Sequence, residues 1–569
     1  MESLEDEVSI INRKVKNSLS PLGDRLVNAE GHGRVYEYDN RGNIESIKYL
    51  GADPAASSSQ QQQFSYDENF NQLIKSVDES GNITSYQLDP NNGNVLKEIR
   101  GQGTDEELKL TYTYNSNGQV ATVKDELGRT TTYSYFPNSG LVREIQFPDN
   151  SSHQFEYDGA GNRTGFTDEN GHKTSYTYDS LNRLLSVSQP AVDGTSPVTT
   201  YEYDAAGNIT KVQDANNNST KSFYDIYGRL VRQVNALDEE VSYAYDAADN
   251  LITLTDALGN NTTYTYDIRN RQKTVTDALA KADSSIGTVI YEYLDDDQVK
   301  SVTDRLGYTT SYEYDFRNRL VLETDAKGEE TKYKYDGVGN LISLTDRNNN
   351  TTKYEYDALN RQFKTIDGEN GVSTTVYDGL VGNVSKIIDA EGNETVYTYD
   401  SRDRVKTVTD AENGVVEYEY DPAGNLLILK DQRLNETKYT YDSLNRQIQV
   451  EDGEGNITKT SYDLVGNVIA VEDGNRNITK TSYDKLNRVK SVEDALLNTF
   501  DYQYDANGNL AQTKDSLGRI TTYQYDALNR LIKVTDAELQ ETTTSYDLPQ
   551  DDGLFATEVT TRLAVLIAV

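Results

Sequence analysis

The chain has no cysteine and no tryptophan, and only one methionine and three histidines in 569 residues. Without cysteine there is no disulfide framework, no thiolate metal site and no thiol nucleophile, and redox chemistry favours no compartment. Basic clusters are missing too: 55 Lys and Arg face 93 Asp and Glu, a formal net charge of −38. Phosphate binding needs clustered Lys and Arg, so no nucleic-acid partner is expected, and an anionic membrane surface is disfavoured for the same reason. The longest clean apolar run, LAVLIAV at 563–569, falls far short of the roughly 20 residues that span a bilayer, so no membrane insertion is expected. The opening MESLEDEVSI lacks the basic-then-apolar layout of a signal peptide. Apolar residues make up 35%, against roughly 45–50% in globular proteins. Composition and charge alone describe a disordered chain.

The order of the residues overturns that reading. Tyrosine is plentiful, 43 residues against 11 Phe, and it recurs in the string Y-x-Y-D. With the second Tyr as anchor, Tyr399, Tyr420, Tyr441, Tyr462, Tyr483, Tyr504, Tyr525 and Tyr546 follow one another at steps of 21 residues. Counting degenerate members such as Tyr38 and Leu88, 24 anchors fill nearly the whole chain. In T-x-Y-x-Y, Thr521, Tyr523 and Tyr525 share one strand face, because side chains alternate with period 2. The fourth residue after a regular anchor is Gly, Asn or Asp, as at Gly207, Asp249, Asn360 and Gly508. These three residue types tolerate a left-handed backbone, so the position predicts a tight hairpin turn. A second strand follows, then a second Asp eleven residues after the anchor, as at Asp346, Asp431 and Asp494, and a second Gly or Asn turn. Each 21-mer is strand, turn, strand, turn.

A longer period overlies this one. Five residues after the anchor, Arg and Asn (once Gln) alternate from Arg183 to Arg530, with Asn383 displaced by one in the longer repeat at Tyr377. The true unit is therefore two repeats, about 42 residues, with an x-x-G-N turn and an L-N-R turn. Alternation predicts that Arg361, Arg446 and their equivalents meet Asp residues of neighbouring rungs and fix register rather than supply much stability.

About 48 short strands at roughly 4.8 Å each would make a flat sheet about 230 Å wide, whereas twisted sheets rarely pass about 10 strands without curling or splitting. The fold class is all-β: a repeat architecture of about 24 hairpins winding as a spiral sheet, a solenoid or a hollow shell. Each repeat has apolar side chains enough for one face of one sheet, not for a solid globule. The expected organisation is an N-terminal segment 1–19, disordered or a degenerate cap, a repeat region 20–550, and a C-terminal tail 551–569. Gly23-Asp-Arg-Leu echoes the L-N-R-L turn. The stretches 51–63, 100–107, 189–197 and 281–287 are rich in Gly, Pro, Ser or Gln and read as surface loops inserted at turns.

With Y-x-Y-D-x-x-G-N and Y-x-Y-D-x-L-N-R at 21-residue spacing, the chain resembles the RHS/YD-repeat family: the repeat regions of bacterial Rhs and wall-associated toxins, toxin-complex C components and the YD shell of teneurins. The resemblance covers about residues 20–550. It implies a β-sheet spiral enclosing a hollow shell that encapsulates or carries a C-terminal toxin or effector, in a secreted or cell-surface parent protein. For the chain as it stands, with no export signal in view, the cytoplasm is open as well. The family's terminal D-P-x-G-L-type segment, with its self-cleaving aspartates, has no match: Asp89-Pro and Asp421-Pro sit at ordinary turn positions. No toxin-like domain follows the last anchor, so the effector partner is expected outside this sequence.

Candidate chemistry is sparse. His32 and His172 fall in Gly turns and His153 in a strand, without metal-ligand spacing. Asp214–Asn218 and Asp346–Asn350 echo calcium ligands but lack the Gly and Glu of a calcium loop. Gly159-Ala-Gly-Asn-Arg-Thr-Gly follows a strand but opens no helix, so it lacks phosphate-binding mechanics. The string Asn82-Ile-Thr arises from the repeat and is no evidence for glycosylation. Carboxylate pairs for glycoside hydrolysis are periodic turn residues, and nothing singles one out. No catalytic, cofactor-binding or metal-binding residue is assigned and no cofactor is implied. The leading reading is a non-catalytic shell or scaffold. The alternative is a carbohydrate-binding or adhesion module, since Tyr faces and Asn/Asp turns suit sugars. An enzyme ranks last.

Overall fold

The computed structural model describes residues 24–27, 33–50, 61–282, 287–548 and 556–562. The expected 1–19 segment, His32, residues 51–60 of the first insertion and the apolar run 563–569 lie outside them. The described residues form 49 strands and one five-residue helix, Ala278–Ala282, so the fold is all-β. Consecutive strands pair antiparallel within each part of the chain, as hairpins joined by hairpins. Thus Ile520–Tyr525 pairs with Leu531–Thr535 through Thr522↔Thr535, Tyr523↔Val534 and Gln524↔Lys533, and a bulge before Tyr525 sets that residue opposite Leu531. The same bulge precedes the anchor in the hairpins ending at Tyr203, Tyr335 and Tyr441.

The anchor ends its strand because the turn begins at once. The Asp526 N–H donates to the Arg530 carbonyl (3.0 Å), and the Asn529 N–H donates back to the Asp526 carbonyl (3.0 Å). That is a type I turn closed by one left-handed residue. The fourth position is left-handed as its residue types predict: φ is 97° at Gly207, 68° at Asp249, 59° at Asn360 and 89° at Gly508. Second turns are built alike, with Gly518 at φ 79°. Five of the described ones depart from the Gly/Asn expectation, since Asp238, Leu434, Arg476, Leu497 and Leu539 stand at φ 62–68°. The turn's own bonds hold these residues there: Leu434 N–H to the Asp431 carbonyl and Asp431 N–H to the Asn435 carbonyl are both 2.9 Å.

Burial follows the alternation. In Glu330–Tyr335, Thr331, Tyr333 and Tyr335 are half-buried while Glu330, Lys332 and Lys334 are exposed. Among the described residues only Tyr36 and Tyr49 count as buried hydrophobics, at 7% and 8% exposure. The sheet is a wall one layer thick.

Three local expectations are corrected. Residues 61–63 are not loop but the start of strand Gln61–Tyr66, paired with Ser46–Lys48, because the Gln run alternates as a strand does. The stretch before 283 is the short helix, whose Ala-rich sequence favours helix. Asp24–Val27, taken for a turn echo, is a strand paired with Gly33–Tyr36.

The chain divides into two compact units. The first comprises Met1–Arg129, Tyr293–Lys300 and Ser311–Asn393, and the second Thr130–Glu292, Ser301–Thr310 and Glu394–Val569.

Candidate functional site

The chemistry of this chain is concentrated at its turns. Where Arg or Asn stands four residues on, the capping Asp uses both carboxylate oxygens within its own turn, as Asp442 shows. Asp442 Oδ1 accepts the N–H groups of Leu444 (2.9 Å) and Arg446 (3.1 Å), and Oδ2 accepts Arg446 Nε (2.7 Å). Where Asn replaces Arg, its side-chain amide takes that place, as Asn467 does on Asp463 Oδ2 (2.8 Å). The expectation that the Arg turns reach neighbouring Asp carboxylates is therefore corrected: the Asp four residues back is nearer and wins. Arg229 does both, pairing with Asp225 and with Asp249 of the next hairpin, each at 2.7 Å.

The alternation has another meaning. Past its own Asp, Arg446 reaches forward to the Asp463 carbonyl (2.9 Å) and lies 4.6 Å over the Tyr462 ring. Arg319 and Arg404 repeat both contacts. The Asn turns reach forward differently: the Asn467 amide donates to the Asn487 side chain (2.8 Å), as Asn425 does to Asn445 (2.8 Å). Two kinds of clasp thus alternate along the row. The anchor hydroxyl reaches backward. Tyr441 donates to the Leu426 carbonyl (2.9 Å), and Tyr356, Tyr462 and Tyr525 do the same 15 residues back. The accepting carbonyl lies just after the preceding hairpin's bulge.

A second set of contacts joins turns far apart in sequence. In the second unit, Asn170 donates to Asp421 (2.9 Å), Asn216 to Asp463 (2.9 Å) and Asn507 to Asp256 (2.6 Å), across 247–251 residues. Each time the amide two residues after one capping Asp meets the carboxylate of another. This row of contacts is a seam where the sheet of this unit returns on itself. Arg402 clamps it, bound to Glu169 (2.8 Å) and the Pro422 carbonyl (2.6 Å) and lying 4.0 Å over the Phe147 ring. Burial works to raise the Glu169 pKa, but the Arg402 hydrogen bond, a backbone bond and the nearby positive charge hold it below the usual carboxylate range. The first unit has an equivalent clamp, with Arg317 on Glu79 (2.8 Å), on the Gly337 carbonyl and over Tyr49 (3.8 Å). Both arginines stand three residues after an anchor, and both glutamates directly follow a capping Asp. Neither pair was singled out from sequence. The strings Arg317-Asn-Arg and Arg402-Asp-Arg, where most other repeats carry Ala, Leu or Val first, are a signal that could have pointed to them, though Arg269-Asn-Arg shares it.

Two of the weighed histidines meet near the Arg402 clamp. His153 Nε2 is 2.9 Å from Glu169, and its ring packs edge-on to Phe147 and Phe166, each at 5.0 Å. His172 Nδ1 is 3.3 Å from Asp168. With Gln189, Ser443 and Asn445 they line a cavity of about 340 Å3. The insertion 189–197 forms part of its wall and is held by Ser443 Oγ donating to the Ala191 carbonyl (2.7 Å). The other weighed strings are turns. Asp214 and Asp346 spend their carboxylates on Asn218 and Asn350 and on backbone N–H groups. Gly161 is the left-handed residue of the Asp158 turn. Among the described residues no group of three His, Asp or Glu is placed to hold a metal ion, and no helix is long and apolar enough to cross a membrane.

A family model for the teneurin YD-shell matches residues 102–299 and 294–462, and one for the RHS repeat matches residues 504–539. Among solved structures, the chain is similar to TcdB2-TccC3 without its hypervariable C-terminal region, at 13% identity and a TM-score of 0.65 over 97% of this chain and 38% of that one. It is also similar to a chain of the Photorhabdus luminescens Tc holotoxin pore, at 13% identity and a TM-score of 0.64, again over 97% and 38%. Among curated proteins, the tRNA3(Ser)-specific nuclease WapA of Bacillus spizizenii is 28% identical over 159 residues, which is 26% of this chain and 6% of the nuclease. The chain thus spans well under half the length of each of these relatives, and the structural likenesses speak for the fold. With the YD-shell model matching more than half of its residues, and the regular anchors from Tyr399 to Tyr525 each ending a strand at a capped turn, the chain belongs to the teneurin YD-shell family.

Proposed function

We propose that the chain is a non-catalytic scaffold, a wall of YD hairpins that encloses or displays an effector carried C-terminal to it in a secreted or cell-surface protein. The observation that carries this reading is how the polar side chains are used. Asp, Arg, Asn and the Tyr hydroxyls are spent on turn caps, forward clasps and seam bonds, which leaves a rigid surface rather than a reactive centre. Family membership supports it, as does a structural relative whose full form has a hypervariable C-terminal region. The nuclease name of the curated relative carries over to no residue here.

The test is a nuclease reporter fused after Val569. An enclosing wall keeps the reporter silent and protected from protease until denaturant opens the sheet. A reporter that is cut and active from the start contradicts enclosure, and hydrolysis by the unfused chain on a substrate panel contradicts the non-catalytic part. A second reading, carbohydrate binding, is favoured by the cavity beside Phe166, where Asp168, Gln189 and Asn445 offer hydrogen bonds around an apolar floor. A glycan array decides it, and no binding at millimolar sugar removes it.

A further inference from the structure

The seam of the second unit shows which surfaces of this wall fit one another. There, second turns in the 168–260 stretch receive Y-D turns in the 400–507 stretch. The apolar residues two positions after the capping Asp are covered by this contact: Leu444, Val465 and Leu486 are all half-buried. The same unit has two more rims of identical construction. One is the row of Y-D turns over residues 158–271, and the other is the row of second turns over residues 431–540. On these rims the equivalent position is Ala at Ala160, Ala206 and Ala248 and polar at Arg269, Arg433, Glu454, Asn475 and Glu538, but at the remaining turns a large apolar side chain stands in the open. Leu181 is 67% exposed and Tyr227 75%, while Leu496 is 82% and Leu517 76%. Ile226 and Ile268, one position earlier in their turns, stand out at 91% and 102%. A protein with a formal charge of −38 has ample polar residues for turn tips, so exposed large apolar side chains at three of these Y-D turns and, with Leu434, Leu497 and Leu539, at four of these second turns mark an interaction surface.

We infer that the chain stacks on a second copy of itself, the second-turn rim over 431–540 of one copy receiving the Y-D rim over 158–271 of the next. The contact continues the seam: one row of second turns meets one row of Y-D turns, each built on the 21-residue step, so their spacings match. The two rims differ, so the contact is heterologous and head-to-tail, and each added copy presents a fresh rim. The net negative charge opposes association at low salt. Screening shortens the reach of that repulsion from about 10 Å at about 0.1 M salt to about 3 Å at about 1 M, while the apolar contact persists. Stacking therefore strengthens with salt, the reverse of an ion-paired interface. The inference holds whether or not the wall encloses anything.

Sedimentation velocity of the full chain at low and high salt, over a wide range of protein concentration, tests it. Wild type gains mass with concentration, more so at high salt. The double variants Leu496→Asp/Leu517→Asp and Leu181→Asp/Tyr227→Asp each weaken self-association by about tenfold or more, with far-UV circular dichroism and the unfolding midpoint of wild type. Mixed together, the two variants form a 1:1 dimer that grows no further, because each brings one intact rim. Wild type that stays monomeric at every concentration and both salts overturns the inference, and so does a mixture of variants that does not pair. Replacing the same residues by Ser serves in place of any Asp variant that fails to fold, with the same expected pairing.

Discussion

A single oxygen separates tyrosine from phenylalanine, and it explains why this chain prefers tyrosine at its anchors. The Tyr441 hydroxyl satisfies the Leu426 carbonyl beside the preceding bulge. Burial first, then the neighbouring Tyr439 and Asp421, push its pKa up, so it remains a donor throughout the neutral range. Tyr441→Phe keeps the ring and strands that carbonyl. It is expected to cost about 1 kcal/mol, measured as a lower urea midpoint. The opposite outcome is expected at Leu434. Its left-handed backbone, φ 68°, costs a side chain with a branched body roughly 1–2 kcal/mol that Asn largely avoids. Leu434 is 70% exposed, so little apolar burial is lost. Leu434→Asn is expected to raise stability by about 1 kcal/mol, and an unchanged or lower midpoint would show the turn to be unstrained.

At the scale of the hairpin, the capped turn is the working part. Arg446 holds Asp442, the Asp463 carbonyl and the Tyr462 ring at once. Lysine has the charge but not the planar fork. Arg446→Lys is therefore expected to destabilise by about 1–2 kcal/mol, and full retention of stability would mean that charge alone matters. The capping aspartates give the fold its acid limit. Hydrogen bonds from Asn208, first its side chain and then its backbone, lower the pKa of Asp204 from 3.8. Asp346 and Asp431 are lowered the same way by Asn350 and Asn435. A folded-state pKa below the unfolded one contributes stability above the unfolded value and loses it as pH falls through the folded value. The urea midpoint should be flat from neutral pH to about 4 and fall below that; a flat profile down to pH 2 would contradict the role of the caps. The hairpins were legible in the sequence because both signals are local: alternation within six residues, and a residue type that permits φ > 0 at a fixed distance from Tyr. The partner of each Arg was misjudged because the alternation of Arg and Asn shows that turns differ, not which of several Asp residues is nearest.

At the scale of the molecule the sequence is nearly silent. Spacing alone does not pair Asn216 with Asp463, or Arg402 with Glu169, because the contact joins repeats that look alike. Only the departures from the repeat, an Arg where Ala, Leu or Val is usual and a Glu after the capping Asp, carry any trace, and Arg269 and Glu126 share them. The Glu169 side chain is 7% exposed, so removing its clamp leaves a buried carboxylate short of its main cation. Arg402→Ala is expected to cost about 3 kcal/mol and to speed amide hydrogen exchange at both 149–172 and 400–423. Faster exchange on one side alone would mean that the two rows do not support each other. The central claim, a one-layer wall whose sheet returns on itself at a seam, has a direct test that the lack of cysteine makes clean. Ala191→Cys/Ser443→Cys places two thiols where Ser443 Oγ now lies 2.7 Å from the Ala191 carbonyl, 252 residues apart in sequence. A short bismaleimide should link them in the folded protein and not in urea, giving a looped chain of altered gel mobility. Failure to link in the folded protein, with both thiols reactive, would contradict the seam.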